Sequence, residues 1–224
     1  MSRVAVFSFG RMKSQRCPNK LLRPFGNTTL TDILLSKFSQ LDAETFFCGY
    51  EQEFADKCHE HRVRFVPRDE RSASIDGPIH RVLGCLRDVE YDYLLLVNSC
   101  LPFLKVDTIS KFLRTCMLNE HQPAFAVVQR HAYFMTADKQ AVNFDINQRT
   151  RNTKTVDPVL EFAEALHYFR RSYFLQAGTF MDWSEVRFIE LASRYELLDI
   201  DTEEDFAVAE ALWRQEWTHN VTLP

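Results

Sequence analysis

VAVFSFGRMKSQRCPNKLL, residues 4–22, decides how the chain is read. Its opening VAVFSF is almost unbroken in hydrophobicity, the mark of a strand covered on both faces. Behind it, residues 10–22 crowd Arg11, Lys13, Arg16 and Lys20 into a single segment, with Ser14 and Pro18 between them. A parallel sheet between helix layers binds ligands outside the carboxyl ends of its strands, where this segment falls. Such a run of cations is either a solvated basic turn or a cradle for something strongly anionic.

The same alternation of β-rich and helical patterns continues along the chain. Strands are predicted over 44–50, 63–67, 91–98, 125–134 and 166–171, with ELLDID (196–201) closing the set. Helices are predicted over 29–41, 52–61, 79–89, 107–118 and 202–217, with Asp107 and Thr202 as candidate N-caps. The pattern gives an α/β fold: a single Rossmann-like domain over 1–224, with a mostly parallel sheet between helix layers. No repeat, low-complexity run or Pro/Gly/Ser linker marks a boundary.

Composition sets limits on function. The chain has 224 residues, 46% hydrophobic and 26% charged, with a formal net charge of −4, which argues against a nucleic-acid partner. The six cysteines lie at 17, 48, 58, 85, 100 and 116 without a CxxC pair, so free thiols in a reducing, cytoplasmic setting are expected. No apolar run reaches membrane-span length, and no membrane association is expected.

The strand ends carry contrasting chemistry. Cations follow the first strand, Arg68 follows VRFVP, Asn98-Ser99-Cys100-Leu101-Pro102 follows YLLLV, and Asp199-Ile200-Asp201 follows ELL. If these ends share a crevice, the set suits a polyphosphate held by Arg and Lys, with a divalent ion between phosphates and carboxylates. Cys58-His59-Glu60-His61 reads as a surface helix rather than a metal site, because adjacent helical positions point different ways. Cys100, with no evident histidine partner, reads as a small residue beside a pocket.

Four blocks in order carry a resemblance. They are R-x-x-S-x-R-x-P-x-K-x-L (Arg11 to Leu22), FGNTTLTDILLSKF (25–38), LLLVNSCLPFLKVDTISKFL (94–113) and LLDIDTEEDFAVAEAL (197–212). Together they resemble the cytidylyltransferases that activate acidic sugars, the CMP-N-acetylneuraminate and CMP-KDO synthetases. The resemblance implies the nucleotide-diphospho-sugar transferase type of fold. It also implies a reaction in which CTP and an acidic keto sugar, a nonulosonic acid or KDO-like acid, give a CMP-sugar and pyrophosphate.

By the same resemblance Arg11 and Lys20 would be catalytic and hold the triphosphate, with Ser14 and Arg16 adding phosphate contacts. Arg68 and Ser74 would bind the nucleotide near its base, and Asn98 would face the sugar. Asp199 and Asp201 would hold Mg²⁺, Asp201 being the firmer match. Removing Lys20 or Asp201 would stop turnover without unfolding the chain. Residues 131–165 would form a dimerisation arm of a homodimer, with Arg149, Arg151 or Lys154 reaching the partner's sugar site.

The chain also departs from those families. Met12 and Lys13 stand where the sialate enzymes carry small residues, and Asn98–Pro102 contains no acid. The acceptor therefore stays open. A related capsule-type or spore-coat-type nucleotidyltransferase with another acceptor is the competing enzyme reading. An inactive nucleotide-binding partner subunit is the competing reading from outside catalysis.

Overall fold

A computed structural model of the chain describes residues 2–74, 77–149 and 152–221, with side chains through residue 215. The elements run β1 (Val4–Phe9), α1 (Leu30–Phe38), β2 (Glu44–Gly49), α2 (Gln52–Glu60), β3 (Arg64–Pro67), α3 (Glu70–Ser74) and α4 (Ile79–Val82). They continue with β4 (Tyr93–Val97), α5 (Val106–Leu118), β5 (Ala124–Arg130), β6 (Val159–Arg170), α6 (Arg171–Ala177), β7 (Arg187–Glu190) and α7 (Glu203–Val221). The seven strands form one sheet in the order β3-β2-β1-β4-β6-β5-β7. Strand β6 alone runs against its neighbours, so the sheet is mostly parallel, as predicted.

The unbroken apolar runs are explained by two cores, one on each face. Successive residues of a strand point to opposite faces. Val6, Phe47, Leu95 and Val97 enter the core packed by α1 and α5. Ala5, Phe7, Phe46, Leu94 and Leu96 enter the other, with Phe169 and Phe174. A half-solvated sheet would tolerate polar residues at every second position. This one cannot, because full burial of each large side chain contributes roughly 1.5–3 kcal/mol on both faces.

The helix ends show where local sequence was a good guide and where it was not. Thr202 and Asp205 bond reciprocally at the start of α7, Thr202 Oγ1 accepting from the Asp205 N–H at 3.2 Å and Asp205 Oδ2 accepting from the Thr202 N–H at 2.8 Å. Asp107 is not the cap of α5; it lies in the first turn, and Lys105 precedes the helix without capping it. A distant residue does that work. The buried Glu196 accepts from the Lys105 N–H at 3.0 Å and from Thr108 Oγ1 at 2.6 Å, through one carboxylate oxygen.

Several boundaries differ from expectation. ELLDID is no strand: 194–197 is a turn, followed by irregular chain. The seventh strand is Arg187–Glu190, parallel to β5 at the sheet edge, where its charged ends hid it from a hydrophobic pattern. The 79–89 helix breaks after Val82 and resumes as a 3₁₀ turn over Gly84–Asp88. Glycine inside it weakens a continuous α-helix. Strand β5 stops at Arg130, whereas β6 starts at Val159, earlier than predicted. Between them, the described residues from 131 to 158 form a mostly exposed excursion pinned by Asn143, which donates to the Ala132 and Asp157 carbonyls. Arg151 lies outside the described residues.

All six cysteines are buried and free, as expected. Among the described residues no helix is long and apolar enough to cross a membrane.

Glu196→Ala should lower stability by about 2 kcal/mol in chemical denaturation, since a helix start and a hydroxyl both lose their partner. A loss below about 0.5 kcal/mol would show that α5 does not need this cap.

Candidate active site

A cavity of about 560 Å³ opens at the carboxyl ends of β1 and β4. That volume falls in the range of small-molecule sites. Because β6 is antiparallel, its early residues lie at the same edge: the Asn98 N–H donates to the Ala165 carbonyl at 3.0 Å. Three distant parts of the chain therefore meet here, together with the segment before α7.

The first wall is the loop after β1, which contributes Arg11, Ser14, Arg16 and Lys20. Gly10 starts the loop because nothing larger fits: a Cβ there would lie 2.7 Å from both Leu21 and Phe47 side chains. This glycine serves packing. The loop backbone is then held from outside, with the Met12 N–H donating to Glu51 Oε1 at 3.1 Å. Asn19, at φ 54°, turns the chain so that its N–H returns to the Met12 carbonyl at 3.0 Å.

Lys20 is not a loose surface cation. It is 8% exposed, and its ammonium donates to the Ile200 carbonyl and lies 3.4 Å from Asp201 Oδ1. Burial opposes its charge, but Cys100, Asp201 and Asp199 around it outweigh burial and raise its pKa. Arg16 reaches the same carboxylate, Nη2 to Asp201 Oδ2 at 3.0 Å. Cation loop and aspartates are thus joined across the cavity.

Asp199 is only half satisfied. One oxygen accepts from Asn98 Nδ2 at 3.1 Å, while the other is buried without a partner. Burial, with the Asp201 charge beside it, pushes its carboxyl up to about 6 despite Lys20 and Asn98. Asn98 is fully employed in positioning. Its carbonyl accepts from the Cys100 N–H at 2.9 Å, and its amide also donates to the Glu164 carbonyl at 3.1 Å. Cys100 lines the cavity, but burial pushes its thiol up to about 11, so it is no thiolate nucleophile.

The structure thus brings Arg11, Ser14, Arg16, Lys20, Asn98, Asp199 and Asp201 to one cavity. Arg68 and Ser74 are not brought to it. Arg68 is 4% exposed and sits beneath the loop, donating to the Gly10 and Ser72 carbonyls at 3.0 and 2.5 Å. It props the start of the loop from behind. Ser74 is exposed at the end of α3. Sequence reading missed Glu164 and His167, which line the cavity from β6. Their place depends on the reversed strand direction, which no local pattern announces. Among the described residues no group of three or more His, Cys, Asp or Glu side chains gathers as a metal site.

A family model described as a MobA-like NTP transferase domain matches residues 10–177. The match spans the first loop, β4 and β6 and ends before Asp199, so the carboxylate end rests on geometry alone. No curated protein matches the sequence. Among solved structures, a CMP:2-keto-3-deoxy-manno-octonic acid synthetase complexed with CTP has a TM-score of 0.71 at 14% identity, covering 96% of this chain and 100% of its own. The 4-diphosphocytidyl-2C-methyl-D-erythritol synthase of Anaerococcus prevotii has a TM-score of 0.65 at 13% identity, covering 95% and 96%. A cytidylyltransferase from Leptospira borgpetersenii has a TM-score of 0.60 at 15% identity, covering 94% and 86%. These are likenesses of fold.

Asp199→Asn should stabilise the protein. A carboxyl whose pKa is raised on folding holds more protons when folded, so stability falls as pH rises from about 4 to about 6. Above that range the ionised, half-satisfied carboxylate destabilises fully, and the amide should gain about 1–2 kcal/mol at pH 7.5. The gain should vanish towards pH 4. Thermal melts across that range check it, and a destabilised variant at pH 7.5 would contradict the strain.

Proposed function

Because the chain belongs to the MobA-like NTP transferase family, we propose that it is a cytidylyltransferase that moves CMP from CTP to an acidic keto sugar and releases pyrophosphate. The observation that carries this reading is the meeting of the cationic loop and the Asp199–Asp201 pair across one cavity. The identities of the three structural neighbours, each a cytidylyl-transfer or CMP-sugar enzyme, support cytidine as the base. The four sequence blocks support the acidic sugar, which here means a nonulosonic or KDO-like acid.

On this reading the anomeric hydroxyl of the sugar attacks the α-phosphorus, the bond to the β-phosphate oxygen breaks, and the hydroxyl proton passes to solvent. The protein does little covalent work and much positioning. Arg11 and Lys20 would hold the triphosphate and stabilise the charge that develops on pyrophosphate. Ser14 and Arg16 would add phosphate contacts, Arg16 as a fork and Lys20 as a point charge. Arg68 would act indirectly, by holding Gly10.

Hard carboxylate oxygens, one of them buried and unpartnered, fit Mg²⁺. Asp199 and Asp201 would hold it. The ion would supply charge neutralisation between the aspartates and the phosphates. We also propose a homodimer through the 131–165 arm, on which Met135, Val142 and Ile146 are exposed and Arg149 and Lys154 lie. The neighbour named for a methylerythritol product keeps a second acceptor class open, a polyol phosphate in place of the acidic sugar.

Pyrophosphate release from CTP with a panel of sialic, legionaminic, pseudaminic and KDO-type acids tests the proposal. Asp201→Asn should lower turnover at least about 100-fold and cost under about 1 kcal/mol of stability, its ion pairs being partly exposed. Lys20→Ala should also stop turnover, but should cost about 2 kcal/mol, since it strips a buried partner from the Ile200 carbonyl. Near-normal turnover in either variant would refute the assigned roles.

A further inference from the structure

Strand β6 does not pair evenly with β5. His167 faces Phe125, yet Phe162 faces Val127, so residues 163–166 of β6 stand against Ala126 alone on β5, a bulge, while Leu166 stays paired with Val97 of β4. Within the bulge Glu164 takes φ 47°, a left-handed conformation that costs a non-glycine residue about 1 kcal/mol or more. Bulges re-aim side chains, often beside active sites. This one delivers both Glu164 and His167 to the cavity wall.

His167 is 5% exposed, and neither ring nitrogen has a hydrogen-bond partner. Its Nε2 lies 3.4 Å from Glu164 Oε2, close but without hydrogen-bond geometry. The ring is packed between Phe125 and Phe180, at centroid distances of 3.9 and 4.9 Å. A phenylalanine would fill this slot without leaving orphaned polar atoms, so the imidazole has no packing rationale. Burial takes its pKa down to about 3, which keeps it neutral at physiological pH.

Charge is unevenly distributed along the cavity. Its lining cations, Arg11, Arg16 and Lys20, all come from the first loop. The β6 side offers a carboxylate, a neutral imidazole and apolar surface from Ile79 and Phe180. An anionic ligand group has nothing to meet there. A neutral imidazole donates one hydrogen bond and accepts one, and a carboxylate accepts several. Together they suit hydroxyl groups on an uncharged part of a ligand.

We propose that Glu164 and His167 form the acceptor-reading end of the cavity, binding the uncharged, polyhydroxylated part of the acceptor while its reacting oxygen faces the first loop. The inference rests on the nucleotidyltransfer reading above. It also orients the substrate. In a keto acid sugar the carboxylate is attached to the reacting carbon, so it lies towards the loop cations, and the hydroxylated tail lies towards His167. A polyol phosphate, whose reacting group is its phosphate, would bind in the same sense, with the phosphate towards the loop cations and its hydroxyls towards His167.

The test is steady-state pyrophosphate release by wild type, His167→Phe, His167→Gln and Glu164→Gln. CTP is the donor, and N-acetylneuraminate, 3-deoxy-manno-octulosonate and ribitol 5-phosphate are the acceptor probes. His167→Phe should raise the KM of the accepted probe roughly tenfold or more, as a lost buried hydrogen bond does, with the KM for CTP within about twofold. Its thermal midpoint should not fall, and His167→Gln should recover part of the affinity. Glu164→Gln should raise the same KM by less, because the amide keeps one accepting oxygen. An unchanged acceptor KM, or an equal rise for CTP, overturns the inference. So does a wild type that binds CTP in a thermal-shift assay yet uses none of the probes. A wild type that does not bind CTP overturns instead the reading on which the inference rests.

Discussion

The buried ammonium of Lys20 holds the two ends of the chain together. It leaves a loop that follows the first strand and donates to a backbone carbonyl 180 residues later, beside Asp201. The segment from Leu198 to Asp201 has no strand pairing; this bond fixes it together with the Ile200 N–H, which donates to the Cys100 carbonyl at 3.1 Å. Glu196, just upstream, anchors the same segment by capping α5, and Lys37 ties α1 to the Leu101 and Pro102 carbonyls. The cavity floor therefore includes loops held to one another by charge-assisted and backbone hydrogen bonds outside the ladder of the sheet. The cation proposed to hold the triphosphate also serves as a structural strut.

The site holds several groups in states that a packing argument alone would reject. Asp199 keeps an unpartnered oxygen next to a second carboxylate, His167 keeps two orphaned nitrogens between phenyl rings, and Glu164 sits in a strained backbone region. Each lines the same cavity. Orphaned buried atoms occur elsewhere too, at Ser8, Glu51, Arg68 and Trp213, while the apolar runs divide between two cores and the cysteines are buried. Three such groups on one cavity wall fit the proposed ligand site, where stability is given up for contact with a ligand.

Much of this was legible in the sequence, for physical reasons that can be named. VAVF and LLLV are covered on both faces, so their composition reported a central parallel strand. The loop cations and DID were visible because charge clustered at the end of a buried strand must meet either solvent or a ligand. Long-range partnerships stayed hidden. Nothing near Arg68 says that it props Gly10, and nothing near Glu196 says that it caps a helix whose preceding residue lies 91 positions earlier. Strand β7 escaped because an edge strand with charged ends lacks a buried pattern. Glu164 and His167 escaped because their place in the cavity wall follows from an antiparallel strand and its bulge, which depend on the neighbouring strands.

On the proposed reading, this cavity grips a triphosphate between loop cations and a carboxylate pair. Calorimetric titration with CTP and with CMP, each in the presence of Mg²⁺, tests it most directly. CTP should bind at least about tenfold more tightly than CMP, since the β- and γ-phosphates carry the charge that the loop and the ion meet. Equal affinity for CTP and CMP, or no binding of CTP, would contradict it.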